Sequence, residues 1–263
     1  MTMGFSGEVA EYYAKYRRGY SPQVLDALQA ALGLDTDDVV LDLGCGTGQL
    51  ALPLASRVRS VIGMDPEPDM LRLAKESAAR QSKQNVTWVL GSDTDVPTLG
   101  ALLGKSSLAM TVMGNAIHWM NHGDLFPRLR PLCRAGGGVA VLANGTPLWL
   151  QDTDWSRALR GSLERHYGRK LEATCGTGAD DRSRYARALR EAGFEDVREM
   201  VIEQRDELSF DQIIGGVYSA MPADELPDPD HRAAFTERVR QELGPQALFA
   251  EDVRVTMLVG RIE

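Results

Sequence analysis

The chain has 263 residues, 43% of them hydrophobic, with a formal charge of −8 and a pI near 5.1. That length supports one substantial core, so a single domain with insertions is expected. The acidic balance argues against a phosphate-gripping nucleic-acid enzyme and in favour of a small-molecule partner. No apolar run reaches the ~18 residues of a membrane span, and Glu8 and Glu11 stand where a leader would carry basic charge; a soluble cytoplasmic protein is expected.

In chain order, the region Phe5 to Tyr20 falls outside any strand–helix alternation and heads an N-terminal cover, residues 1–36. Residues 37–144 follow as the core. The spacing predicts strands near 38–43, 58–64, 86–90, 107–113 and 138–143, with helices near 48–56, 68–82 and 121–132 between them. The run Gly136-Gly137-Gly138 is read as the stop of the last helix. A helix near 180–192 stops at Gly193, a strand follows near 197–205, and Val253 to Ile262 is a final strand. Apolar strands alternating with helices predict an α/β fold with a doubly wound, mostly parallel sheet. Residues 145–178 and 206–250 interrupt the pattern and are read as substrate-covering insertions. The tetrapeptide Cys175-Gly176-Thr177-Gly178 repeats residues 45–48 without a preceding strand and is read as a loop. Cys45, Cys133 and Cys175 show neither disulfide nor metal-ligand spacing, so reduced thiols and no metal are expected.

The most informative segment is Val39-Val40-Leu41-Asp42-Leu43-Gly44-Cys45-Gly46-Thr47-Gly48-Gln49-Leu50, followed by Val61-Ile62-Gly63-Met64-Asp65. A buried strand, a glycine turn, a helix start, a second strand and a carboxylate form a nucleoside-binding unit. A dinucleotide fingerprint needs glycine at the first, third and sixth turn positions. Counting from Gly44, Gly46 holds the third but Gln49 the sixth, which disfavours a nicotinamide-dependent dehydrogenase. Asp42 to Gly48 resembles the first motif of class I S-adenosylmethionine-dependent methyltransferases, in which the turn passes under the methionine half of the cofactor. That resemblance implies a seven-stranded sheet with its last strand antiparallel, and S-adenosyl-L-methionine as cofactor. Backbone at Gly44, Cys45 and Gly46 would approach the ligand, N–H groups of the helix beginning near Gly48 could face its carboxylate, and Asp65, with Pro66 beside it, would accept from the ribose hydroxyls.

After the third strand, Gly91-Ser92-Asp93-Thr94-Asp95-Val96-Pro97 is similar to the loop edging the adenine, which makes Asp93 the candidate adenine contact, flanked by Ser92 and Thr94. The fourth strand ends in Met113-Gly114-Asn115-Ala116-Ile117-His118-Trp119, and Tyr13-Ala14-Lys15-Tyr16-Arg17-Arg18-Gly19-Tyr20 precedes the core. Both resemble a small-molecule subgroup that includes trans-aconitate methyltransferase-like and natural-product enzymes, with Arg18 in place of a usual proline. The resemblance covers about the first 143 residues. It implies that Tyr13 and Arg17 fold over the cofactor, that Asn115 lies at its methionine end, and that Trp119 forms an apolar wall or packs in the core. His118 is the base candidate among His118, His122, His166 and His231, because imidazole titrates near neutral pH and His118 should sit at the cofactor end of the sheet. The expected activity is methyl transfer to an oxygen or nitrogen of a small molecule in bacterial secondary metabolism. The alternative is a cyclase or isomerase that uses the same pocket without transferring methyl.

Overall fold

The computed structural model describes residues 4–172 and 176–263. Its centre is a seven-stranded sheet in the order β3-β2-β1-β4-β5-β7-β6. The strands are β1 (Val39–Leu43), β2 (Ser60–Asp65), β3 (Val86–Leu90), β4 (Leu108–Gly114), β5 (Cys133–Asn144), β6 (Glu195–Ser209) and β7 (Leu248–Arg261). Neighbours from β3 through β5 run parallel, and β7 pairs antiparallel with β5. This is the doubly wound, Rossmann-like architecture that the alternation predicts. Four of the five β1 residues and six of the seven in β4 are buried, as expected for strands covered on both faces.

The helices are α1 (Glu8–Tyr16), α2 (Pro22–Leu32), α3 (Ala51–Leu54), α4 (Pro68–Arg80), α5 (Val96–Leu103), α6 (His122–Leu129), α7 (Asp154–Tyr167), α8 (Ala179–Glu191), α9 (Phe210–Tyr218) and α10 (Pro229–Leu243). Two expectations need correcting. The helix expected at 48–56 is a single turn, α3, and Gly48, at φ 90°, stands outside it. The triglycine run does not stop a helix: α6 ends at Leu129, and the glycines lie inside β5. Gly138 pairs with Met110 on one side and Arg261 on the other, and a Cβ there would come within 2.0 Å of the Gly260 carbonyl oxygen. The glycine is thus demanded by close strand approach.

The described residues fall into two compact units. One takes in residues 4–17, 145–172 and Glu203–Arg254; the other takes in Arg18–Asn144, 176–202 and Val255–Glu263. The first has its own apolar core, with Trp155, Leu159, Phe210, Ile213, Phe235 and Phe249 buried together. Within it the Trp155 indole N–H donates to the Ala250 carbonyl (2.8 Å), and Tyr16 lies flat against Gly215 of α9. The second holds the core between the sheet and its helices, including Leu41, Met64, Leu108, Met113, Phe126, Val139, Leu189 and Leu258. Among the described residues no helix is long and apolar enough to cross a membrane.

Candidate functional site

The β1–α3 turn is shaped by left-handed backbone: Gly44, Gly46 and Gly48 have φ of 73°, 53° and 90°. At Gly44 a second constraint acts, since a Cβ would lie 2.6 Å from the Cβ of Ala116. The approach that requires glycine there is therefore to the loop after β4. The Met64 carbonyl accepts from the N–H groups of both Gly44 (2.8 Å) and Cys45 (3.1 Å). Trp88 of β3 braces the turn from below: Cβ atoms placed at Gly48 and Gly63 would meet its ring at 3.1 and 2.6 Å.

Asp65, at the end of β2, is buried and clamps two segments. One carboxylate oxygen accepts from Gly46 N–H (2.8 Å) and the other from Glu67 N–H (2.9 Å). Burial raises its pKa; the two N–H groups oppose that rise, and the Glu67 carboxylate adds to it. Asp42 lies inside β1, opposite Gly63 and Val112 on the flanking strands, and is 1% exposed. Burial pushes its carboxyl up to about 7, against the Ala51 N–H it accepts from and with a further rise from Asp65. Its Oδ2 is buried without a hydrogen-bond partner. The Ala51 N–H is thus committed to Asp42, and the helix expected to face the cofactor's carboxylate is only the one-turn α3. Glu67, between Asp65 and α4, is a third buried carboxylate, while Pro66 between them is half-buried. The glycine turn is lined beneath by acids, an electrostatic setting suited to a cationic ligand and hostile to a pyrophosphate.

Asp42 and Glu67 were not among the residues expected to matter. The signal for Asp42 was an ionisable residue inside an otherwise apolar strand, where an acid must have a reason to be buried.

At the end of β3, Ser92 caps a 3₁₀ turn at Asp93–Asp95: its hydroxyl accepts from Thr94 N–H (3.3 Å), and Asp95 accepts from Ser92 N–H (2.9 Å). Asp93 accepts from Asn121 N–H (3.2 Å), which ties this loop to the one after β4. Asn115 adopts φ 51°, a conformation that asparagine tolerates better than most residues. Its side-chain oxygen accepts from Asn144 N–H (2.9 Å), joining the ends of β4 and β5. His118 follows in a 3₁₀ turn at Ile117–Trp119 and is half-buried. Burial lowers its pKa, against the field of Asp181, so the imidazole is neutral near pH 7. It borders a small cavity with Asn115, Thr177, Tyr185 and Thr256, and Gly176 packs against it so closely that a Cβ there would lie 2.5 Å from His118 Cβ. Trp119 is 52% exposed and stacks obliquely on His118 at 4.9 Å, so it is not core.

The structure therefore gathers Gly44, Cys45, Gly46, Asp65, Pro66, Ser92, Asp93, Thr94, Asn115 and His118 in one unit, on the loops following β1 through β4. Tyr13 and Arg17 belong to the other, where the Arg17 guanidinium lies 5.3 Å from the Tyr13 ring centre and Phe5 meets that ring edge-on. His166 and His231 also belong to that unit; His231 pairs with Asp228 at 2.8 Å. Cys45 and Cys133 are buried and unbridged, and Cys175, with the start of the repeated tetrapeptide, lies outside the described residues.

Residues 40–137 match the model of a methyltransferase domain. The chain is 28% identical over 144 residues to an uncharacterized methyltransferase of Mycobacterium tuberculosis, a stretch covering 55% of this chain and 53% of that protein. A stretch of 57 residues is 44% identical to the 23S rRNA (uracil(1939)-C(5))-methyltransferase RlmD of Aliivibrio salmonicida, covering 22% of this chain and 13% of that one. The chain thus spans about half the length of the first relative and far less of the second. A solved candidate type II methyltransferase from Anaeromyxobacter dehalogenans superimposes with a TM-score of 0.63 at 20% identity, over 94% of this chain and 98% of that one. By that match and by its sheet, the stretch 40–137 is similar to a methyltransferase domain, and the fold is the one seen in solved class I S-adenosylmethionine-dependent methyltransferases.

Proposed function

We propose that the protein transfers the methyl group of S-adenosylmethionine to an oxygen or nitrogen of a small molecule, in bacterial secondary metabolism. The observation that carries this reading is the buried acid lining of the glycine turn. Asp65 and Glu67 complement a ligand bearing an ammonium and a sulfonium, and the Oδ2 of Asp42, a carboxyl that burial raises to about 7, still lacks a hydrogen-bond partner. The formal charge of −8 favours a small acceptor over RNA, and the likeness to the rRNA enzyme is confined to 57 residues.

In this reading Asp65 holds the ribose hydroxyls while keeping its two backbone donors. Gly44, Cys45 and Gly46 border the methionine half, with Asn115 at its end. Pro66 and the loop Ser92, Asp93, Thr94 border the adenosine half. Tyr13 and Arg17 fold over the cofactor, as the family resemblance implies. The bound cofactor supplies a methyl already activated on a positive sulfur, so the protein's work is alignment and exclusion of water. Where the acceptor carries a proton, the imidazole of His118 would accept it and pass it on to solvent. Buried, reduced Cys45 and Cys133 accord with a cytoplasmic setting.

Calorimetric titration with S-adenosylmethionine, S-adenosylhomocysteine and NAD tests the assignment. Saturable binding of the first two without NAD is expected. Silence toward both in folded protein overturns it, and binding without methyl transfer across an acceptor panel favours the cyclase or isomerase alternative.

A further inference from the structure

Apart from the cofactor site, α8 and β6 border an open groove of about 400 Å³ lined by Arg182, Arg187, Arg190, Ala186, Val197 and Glu199, with Ser183 and Leu258 completing it. Most arginines of this acid-rich chain stand against a carboxylate. On the same stretch Arg182 pairs with Glu199 (3.0 Å), Arg184 with Asp181, and Arg198 with Asp196 (2.9 Å). Arg187 and Arg190 do not: among the described residues neither reaches a carboxylate, and Arg190 donates only to the Val197 carbonyl (3.2 Å). They stand three residues apart on α8, the spacing that places side chains on one helix face. Glu199 is the one acid in the lining and already faces Arg182, so the groove carries a local positive excess on a protein of net charge −8. Half-buried Ala186 and Val197, with buried Leu258, give it an apolar floor.

We propose that this groove binds an organic anion: a phosphate or comparable dianionic head held between the Arg187 and Arg190 guanidiniums, with an apolar body lying on Ala186, Val197 and Leu258. Two planar forks chelate such a head more strongly than a solvated pair of lysines would, and the floor rewards a body that inorganic phosphate lacks. The inference stands independently of methyl transfer.

The test is titration of the intact protein at low ionic strength with phenyl phosphate and with inorganic phosphate, alongside S-adenosylhomocysteine as a measure of the other site. Phenyl phosphate should bind saturably and more tightly than phosphate. The double variant Arg187→Gln/Arg190→Gln should bind phenyl phosphate about tenfold or more weakly, as expected for lost charge-assisted bonds, with S-adenosylhomocysteine affinity unchanged. Glu199→Gln should tighten phenyl phosphate binding, a gain that misfolding cannot imitate. Absence of saturable binding, equal affinity for the two phosphates, retained affinity in the double variant, or no tightening in Glu199→Gln overturns the proposal.

Discussion

At Asp42, a carboxyl raised to about 7 by burial makes the fold sensitive to pH in a defined direction. An unfolded aspartate ionises near pH 4, so between about pH 4 and 7 the folded chain keeps a proton that the unfolded chain has released. Stability from this group therefore falls as pH rises through that window, by on the order of 4 kcal/mol, and then levels off. Asp42→Asn should be close to neutral at pH 4 and stabilising at pH 8; urea denaturation at the two pH values reads the difference, and equal effects at both would remove the assigned cause. Asp65→Ala should weaken S-adenosylmethionine by at least ~1 kcal/mol through lost ribose bonds. The same change orphans the Gly46 and Glu67 N–H groups, so a lower melting midpoint should accompany it. If His118 is the base, His118→Ala should slow turnover about 100-fold while cofactor affinity holds; equal loss of both would mark a binding role. The glycine turn and Asp65 were legible from spacing alone. The clamp between Asp65 and Gly46, and the packing of Gly44 on Ala116, were not, because nothing local in the sequence brings residues 19 or 72 positions apart into contact.

Among the elements, the buried strands were the most legible, since β1 and β4 are apolar nearly throughout and lie close to where hydrophobic runs put them. The helices outside that alternation were read as cover. Yet α9 announces itself by Ser209-Phe210-Asp211-Gln212, a capping box in which the Ser209 hydroxyl accepts from Gln212 N–H (3.2 Å) and Gln212 accepts in return from Ser209 N–H (2.8 Å). In α5 the Pro97 and Gly100 punctuation conceals a helix whose glycine packs closely under Leu132: a Cβ there would lie 2.8 Å from the end of that side chain. The triglycine run misled for a related reason, because strand contact and helix termination select the same residue. Gly138→Ala should therefore break β5–β7 pairing and lower stability by at least ~3 kcal/mol, in the range reserved for backbone collisions; a thermal midpoint like the parent's would contradict the strand assignment.

Across the molecule, contacts sort the described residues into two units, each of which draws on three separate stretches of chain. Long-range assembly of this kind leaves no local pattern; its trace is only the scatter of aromatics such as Trp155, Tyr218, Phe235 and Phe249, which meet once the chain has folded. Hydrogen exchange with and without S-adenosylhomocysteine should show protection at 43–48 and 63–67, with the slow core amides of α10 unchanged. Protection reaching Tyr13 and Arg17 would mark them as cofactor contacts, and its absence there would remove that role. Trp88 offers a more direct view. Because its ring underlies Gly48 and Gly63, any ligand that settles on the turn alters the surroundings of an intrinsic fluorophore, so occupancy can be followed by emission from the unlabelled chain and assigned by its disappearance in Trp88→Phe.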